Sequence, residues 1–155
     1  MRKIPIEILI QLLGMVGIIG SLIFVGLEMR QSQNFAEAAQ QQTRSDSTMN
    51  QFAVLTEAGH DAHSILTNDL GESYGLRPLD VAARNFYHQL LTLYESDFFQ
   101  YQRGLMPPSV WNAKLGALAF LKTQCNHREI LDFRLRYFSK ELLEIIAALP
   151  DPCAD

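Results

Sequence analysis

Residues 8–27 read ILIQLLGMVGIIGSLIFVGL, with no charge and only Gln11 and Ser21 polar. Wound as a helix at about 1.5 Å per residue, these twenty positions span about 30 Å, the hydrocarbon thickness of a bilayer. Glu7 and Glu28 bracket the run, and Pro5 suits a first-turn position where its missing N–H costs nothing. The pattern predicts a transmembrane anchor over residues 1–29. A cleaved signal peptide is the competing reading, with Arg2-Lys3 as its basic start and Ala36-Glu37-Ala38 as a cleavage-like site. The run exceeds the usual apolar region of about 7–15 residues, and the cleavage-like site lies well past its end. A helix buried in a soluble core is the remaining alternative.

Gly14, Gly17 and Ser21 fall on one face of this helix, and Gly20 and Gly26 add further small positions. Small residues let helix backbones approach closely in lipid. That face predicts packing against another membrane protein or a second copy of this chain, with the bilayer itself as the other partner. Arg2, Lys3 and the amino group precede the run, and Arg30 follows it. Basic residues favour the cytoplasmic side, which tilts the N-terminus inward. The margin is one charge and does not fix the side on which the domain lies.

Of 155 residues, about 125 remain beyond the anchor, enough for one small domain with its own core. Arg2, Lys3 and Arg30 take three of the 13 basic residues, and Glu7 and Glu28 two of the 17 acidic ones. The remainder holds ten basic against fifteen acidic residues, a net charge of about −5. Nucleic acid binding needs a basic patch, and no Lys/Arg run exists, so a nucleic acid partner is not expected. The same acidity opposes a domain lying flat on anionic lipid. The two cysteines, Cys125 and Cys153, form no C-x-x-C and cannot complete a four-ligand zinc site alone. Two free thiols are the expectation. A disulfide would require Cα atoms within about 7 Å and an oxidising compartment.

Residues 29–58 lack Gly and Pro and are rich in Gln, Ala, Glu and Met, good helix formers. Phe35, Ala39, Met49, Phe52 and Leu55 form a thin apolar stripe. We expect a solvated stalk helix over 30–65, continuing the anchor and broken near Ser45-Asp46-Ser47. Residues 66–78 read as a loop. Residues 79–103 form the clearest helix, with Asp80 as N-cap and six aromatics. Val81, Phe86, Leu90, Leu93, Tyr94 and Phe98 mark its apolar face, widened by Tyr87, Leu91, Phe99 and Tyr101, and Gly104 ends it. Pro107-Pro108 opens the next helix, carrying Val110, Trp111, Leu115, Leu118 and Leu121. One or two helices follow from His127 to Ala148, with Ser139 as a cap between them. The expected fold is all-α: a transmembrane helix, a stalk, a small antiparallel bundle over 79–149 and a disordered tail over 150–155 after Pro150 and Pro152.

No signature carries chemistry. Glu57-x-x-His60 with His63 sets three candidate ligands on one helical face with the carboxylate–histidine spacing of di-iron bundles, but such sites need the motif twice plus two more Glu; the second copy is absent, and His88 and Glu95, seven apart, could contribute but nothing requires it. A solvated polar face is the plainer account. His127 near Cys125 lacks an orienting third group and an oxyanion hole. Arg84, Asp97 and Arg103 read as helix-surface charges or local ion pairs. Trp111 reads as a core anchor, with a partner-facing hot spot as the sharper alternative.

Ile18-Ile19-Gly20-Ser21-Leu22-Ile23-Phe24-Val25-Gly26-Leu27-Glu28-Met29-Arg30-Gln31, then Phe98-Phe99-Gln100-Tyr101-Gln102-Arg103-Gly104-Leu105, then Trp111, resembles a widespread group of short bacterial proteins of unknown function. These have an apolar N-terminal helix ending in a basic-Gln-Asn stretch and a helical domain with an aromatic-Gln-Tyr-x-x-Gly-Leu turn before a Trp. The likeness runs over most of the chain. It implies the same architecture in a bacterial inner membrane, with the domain on the cytoplasmic side, and no activity.

The sequence therefore leads to a non-enzymatic single-pass membrane protein: an accessory subunit, assembly factor or scaffold acting through helix–helix contacts, with no catalytic residue, cofactor or metal. A membrane-tethered sensor binding a small ligand among the aromatics of 86–101 is one alternative. A metalloenzyme using Glu57, His60 and His63 is the other.

Overall fold

The computed structural model describes residues 5–71 and 75–153. Among them the chain is all-α: α1 (Ile6–Glu57), α2 (Ala62–Thr67), α3 (Pro78–Gln102), α4 (Pro108–Lys122), a 3-10 turn (Cys125–His127), α5 (Arg128–Leu135) and α6 (Lys140–Ala147). The chain divides into two compact units, Met1–Ala39 and Gln40–Asp155. The first holds the start of α1. It is the one helix among the described residues long and apolar enough to cross a membrane, and its most apolar stretch is entirely uncovered.

The second unit begins inside α1, which corrects the free stalk expected over 30–65. The helix runs unbroken through Ser45-Asp46-Ser47 and ends at Glu57. Gly59, at φ +74°, then turns the chain in a region that side chains rarely adopt. Residues 62–67 form a separate helix. Phe52 of the apolar stripe is buried, and so is the polar Ser45, so this part of α1 presents a packed face. Gln100 Nε2 donates to Gln42 Oε1 at 2.7 Å, and Gln89 Nε2 donates to the Met49 carbonyl at 3.1 Å. Residues 40–57 thus run antiparallel to α3.

Helix α3 is the spine. It starts at Pro78, two residues before the expected cap. Asp80 occupies the third helical position, where its carboxylate accepts from the Arg77 backbone N–H at 3.1 Å. Tyr87, Leu91, Tyr94 and Phe98, spaced four, three and four, form its buried stripe, while Phe86 is 57% exposed. Gly104, at φ +70°, ends the helix as expected, with Leu105 N donating to the Gln100 carbonyl at 3.0 Å. Helix α4 returns antiparallel, and Trp111, Leu118 and Leu121 meet that stripe. Ile130 and Leu131 of α5, Phe138, and Leu142 and Ile146 of α6 close the core. Ser139 caps α6 by accepting from Leu142 N.

The end of the described chain departs most from expectation. In place of a disordered tail, residues 149–153 are fastened down. Lys122, 5% exposed, donates from Nζ to the carbonyls of Ile146 and Leu149, both at 2.9 Å. The first of these carbonyls belongs to the last turn of α6 and the second lies just beyond it, so one ammonium ties the helix end to the segment that follows. Arg128 Nη1 contacts both Asp151 oxygens at 2.6 Å. Cys125 and Cys153, expected as free thiols, are joined in a disulfide with Cα atoms 5.5 Å apart. The ionic ties place the two sulfurs together, and no spacing rule over 28 residues reveals that.

Candidate functional site

Polar groups concentrate where α2, α3 and α5 meet. Asp61, 2% exposed, is the N-cap of α2 and accepts from Ser64 N at 2.9 Å and Ser64 Oγ at 2.6 Å. Arg84 grips it with Nε to Oδ1 at 2.9 Å and Nη2 to Oδ2 at 3.2 Å, and its Nη1 reaches Glu129. Burial pushes the Asp61 pKa up, but the hydrogen bonds from Arg84 and Ser64 outweigh it and hold the carboxyl below its ordinary value. Burial likewise opposes the Arg84 charge, and Asp61 and Glu129 more than restore it. The cluster sets the Arg84 guanidinium between the carboxyl groups of Asp61 and Glu129. Beside it Asn85, fully buried, accepts from Ala62 N at 2.8 Å and donates to Thr56 Oγ1 and the His60 carbonyl at 2.9 Å each. One amide thus fastens the whole 56–62 turn to α3.

An imidazole pair adjoins the cluster. His88 stacks on Phe52 at 5.2 Å and on His63 at 5.5 Å between ring centroids, and Phe133 meets His63 edge-on at 5.4 Å. His88 is fully buried, and neither ring nitrogen has a partner. Burial, reinforced by the Arg134 charge, drives its pKa down to about 3. His63 moves in the same direction for the same first reason, with Arg84 adding to it. Both rings are neutral at physiological pH.

Two open clefts flank this network. One, of about 390 Å³, is lined by Leu76, Leu79, Asp80, Ala83, Arg84, Asn126 and His127. The other, of about 510 Å³, is lined by His63, Leu66, Thr67, Glu129, Asp132, Phe133 and Arg136. Arg84 and Asp132 at their walls are already committed, to Asp61 and to Arg128 respectively. A general acid–base site needs a reacting group within hydrogen-bond reach of a titratable partner, and the described residues assemble no nucleophile–base–orienter set here.

The residues singled out from sequence fare differently. Glu57, His60 and His63 do not share a helical face, because α1 ends at Glu57, the chain turns at Gly59, and His60 precedes the separate helix that carries His63. Glu57 and His60 are exposed and His63 is buried. No group of three or more His, Cys, Asp or Glu among the described residues is placed to hold a metal ion. Cys125 is engaged in the disulfide and offers no thiol beside His127. Trp111, offered as a partner contact, is 2% exposed and packs on Phe98 at 5.4 Å and Tyr101 at 5.3 Å between ring centroids, so it is a core anchor. Of the aromatics of 86–101, Tyr87, Tyr94 and Phe98 are spent in the core, and burial pushes the Tyr87 hydroxyl up to about 12, while Phe86 lines an open cleft of about 350 Å³ with Thr56, Glu57 and Gln89.

Arg84 and Asp97 correct the reading of both as surface charges. Both are buried, and Asp97 pairs with Lys114 at 3.0 Å. Arg103 lies over the Phe99 ring at 5.2 Å. Sequence reasoning missed the Asp61–Arg84–Glu129 cluster because its members stand 23 and 45 positions apart. One local signal was readable: Asp61 three residues before Ser64, an N-cap pattern.

In the first unit, the large apolar side chains of residues 8–27 are each 47–71% exposed. A Cβ added at Gly14 or Gly17 would meet no atom within 4 Å. Nothing among the described residues requires glycine at either position. No family model matches the chain, and no curated protein or solved structure matches it significantly.

Proposed function

We propose that this chain is a single-pass protein of a bacterial inner membrane that works without catalysing a reaction, as an accessory subunit, assembly factor or scaffold engaging its partner through helix–helix contacts. The observation that carries this reading is the bare apolar run. Fourteen large apolar side chains between Ile8 and Leu27 stand uncovered. At about 1.5 kcal/mol or more for each one removed from water, the unmet demand is on the order of 20 kcal/mol. Lipid meets that demand without a protein partner. The face of Gly14, Gly17 and Ser21 then supplies a place where a second helix approaches closely. The paired charges of the second unit support a structural role for its polar interior.

Light scattering of the full chain, extracted from membranes in mild detergent, tests the reading. A particle larger than one chain plus its micelle is expected. Gly17→Ile, at a position where an added Cβ meets no described atom within 4 Å, should reduce that particle to the monomer. A stable lone monomer of the unsubstituted protein refutes the proposal.

A further inference from the structure

The disulfide carries a consequence for where the second unit resides. Cys125 lies in the exposed 3-10 turn after α4, and Cys153 is half-buried at the end of the fastened tail. The sulfurs are brought together by non-covalent ties as well. Lys122 holds the carbonyls of Ile146 and Leu149, and Asp151 accepts from Arg128 and from the Cys153 backbone N–H at 3.2 Å. A pair pre-organised in this way closes readily wherever an oxidant is present. Cytosolic thiol systems keep such pairs reduced, whereas disulfides persist on the oxidising side of a bacterial membrane.

We infer that Cys125 and Cys153 are an oxidative modification site, closed by a thiol–disulfide oxidoreductase on the extracytoplasmic face of the membrane, and that the second unit lies on that face. The exposed Cys125 thiol loses its proton and attacks the oxidoreductase disulfide, giving a mixed disulfide and one thiol on that enzyme. The Cys153 thiolate then attacks Cys125 Sγ. The intramolecular S–S bond forms, and the oxidoreductase leaves as a dithiol carrying both hydrogens and both electrons. An independent feature agrees: Arg2 and Lys3 precede the apolar run and Arg30 alone follows it closely, the polarity of an N-terminus held in the cytoplasm. This placement opposes the cytoplasmic one that the family resemblance implied. It rests on the anchored reading above.

The test uses the full chain in a bacterial host with an intact periplasmic oxidation system. Cells are quenched in acid, denatured and treated with a maleimide-linked polyethylene glycol, with and without prior reduction. Unsubstituted protein should take up no label before reduction and two labels after it. In a host lacking its periplasmic dithiol oxidase, two labels should appear without reduction. Cys153→Ser should react once, and in spheroplasts with a membrane-impermeant maleimide, reporting Cys125 outside. Two labels on unsubstituted protein from the normal host, or labelling of Cys153→Ser only after lysis, overturns the inference. Alkaline carbonate extraction separates the two proposals: an oxidised chain released from the pellet overturns the anchor and leaves the oxidised pair standing.

Discussion

Acidification should destabilise the second unit through His88, by an amount that follows from burial alone. The ring is fully buried with two unpartnered nitrogens, and its pKa in the fold is about 3 against an ordinary 6.5. The fold therefore favours the neutral imidazole. Its contribution to stability is complete above pH 6.5 and is lost as pH falls below that value toward 3. At pH 5 an unfolded imidazole is about 97% protonated while the buried ring stays neutral, so going from pH 7.5 to pH 5 costs about 2 kcal/mol. That figure is set by the unfolded pKa and holds for any folded value below about 4. His63 and His127 shift in the same direction, and Glu95, whose pKa burial raises, works the opposite way. Comparison with His88→Leu isolates the one ring. Trp111, the only tryptophan and a core residue, reports unfolding directly. Urea titrations of the full chain in mild detergent, followed by its fluorescence at both pH values, should give a loss about 2 kcal/mol smaller for His88→Leu. Equal losses in the two proteins refute the reasoning.

Arg84→Met leaves Asp61 buried without its counter-ion and should cost about 3–5 kcal/mol. Adding Asp61→Asn should recover part of that, and an unrecovered loss in the same urea assay removes the buried pair as its cause. Cys153→Ser opens a loop of 28 residues. A loss of about 3–4 kcal/mol is expected, and adding reductant to the unsubstituted protein should reproduce it.

The helical class and the punctuation were legible because they are local. Gly104, Ser139 and Pro108 end, cap and begin helices by rules spanning three or four residues. The charge cluster was not legible, because Arg84 looks the same on a surface as it does clamped between Asp61 and Glu129. Which face of α3 turns inward was blurred for a related reason. With six aromatics around the helix, periodicity admits both Phe86 and Tyr87, and only packing against Leu121 and Trp111 selects the latter. The tail was misjudged because Pro150 and Pro152 do stop the helix, but stopping a helix does not free the chain when Lys122 and Arg128 wait for its carbonyls and carboxylate.

Asn85 behaves as a combination lock. Its carbonyl needs an N–H and its amino group needs two oxygens, and Ala62, Thr56 and His60 present that set in only one alignment of the turn with α3. Sliding either segment by one position would strand the two polar ends of the fully buried amide, at about 1–3 kcal/mol apiece. A leucine there could hold the helices as firmly and would tolerate several alignments. The amide accepts one, so what it secures is uniqueness more than strength.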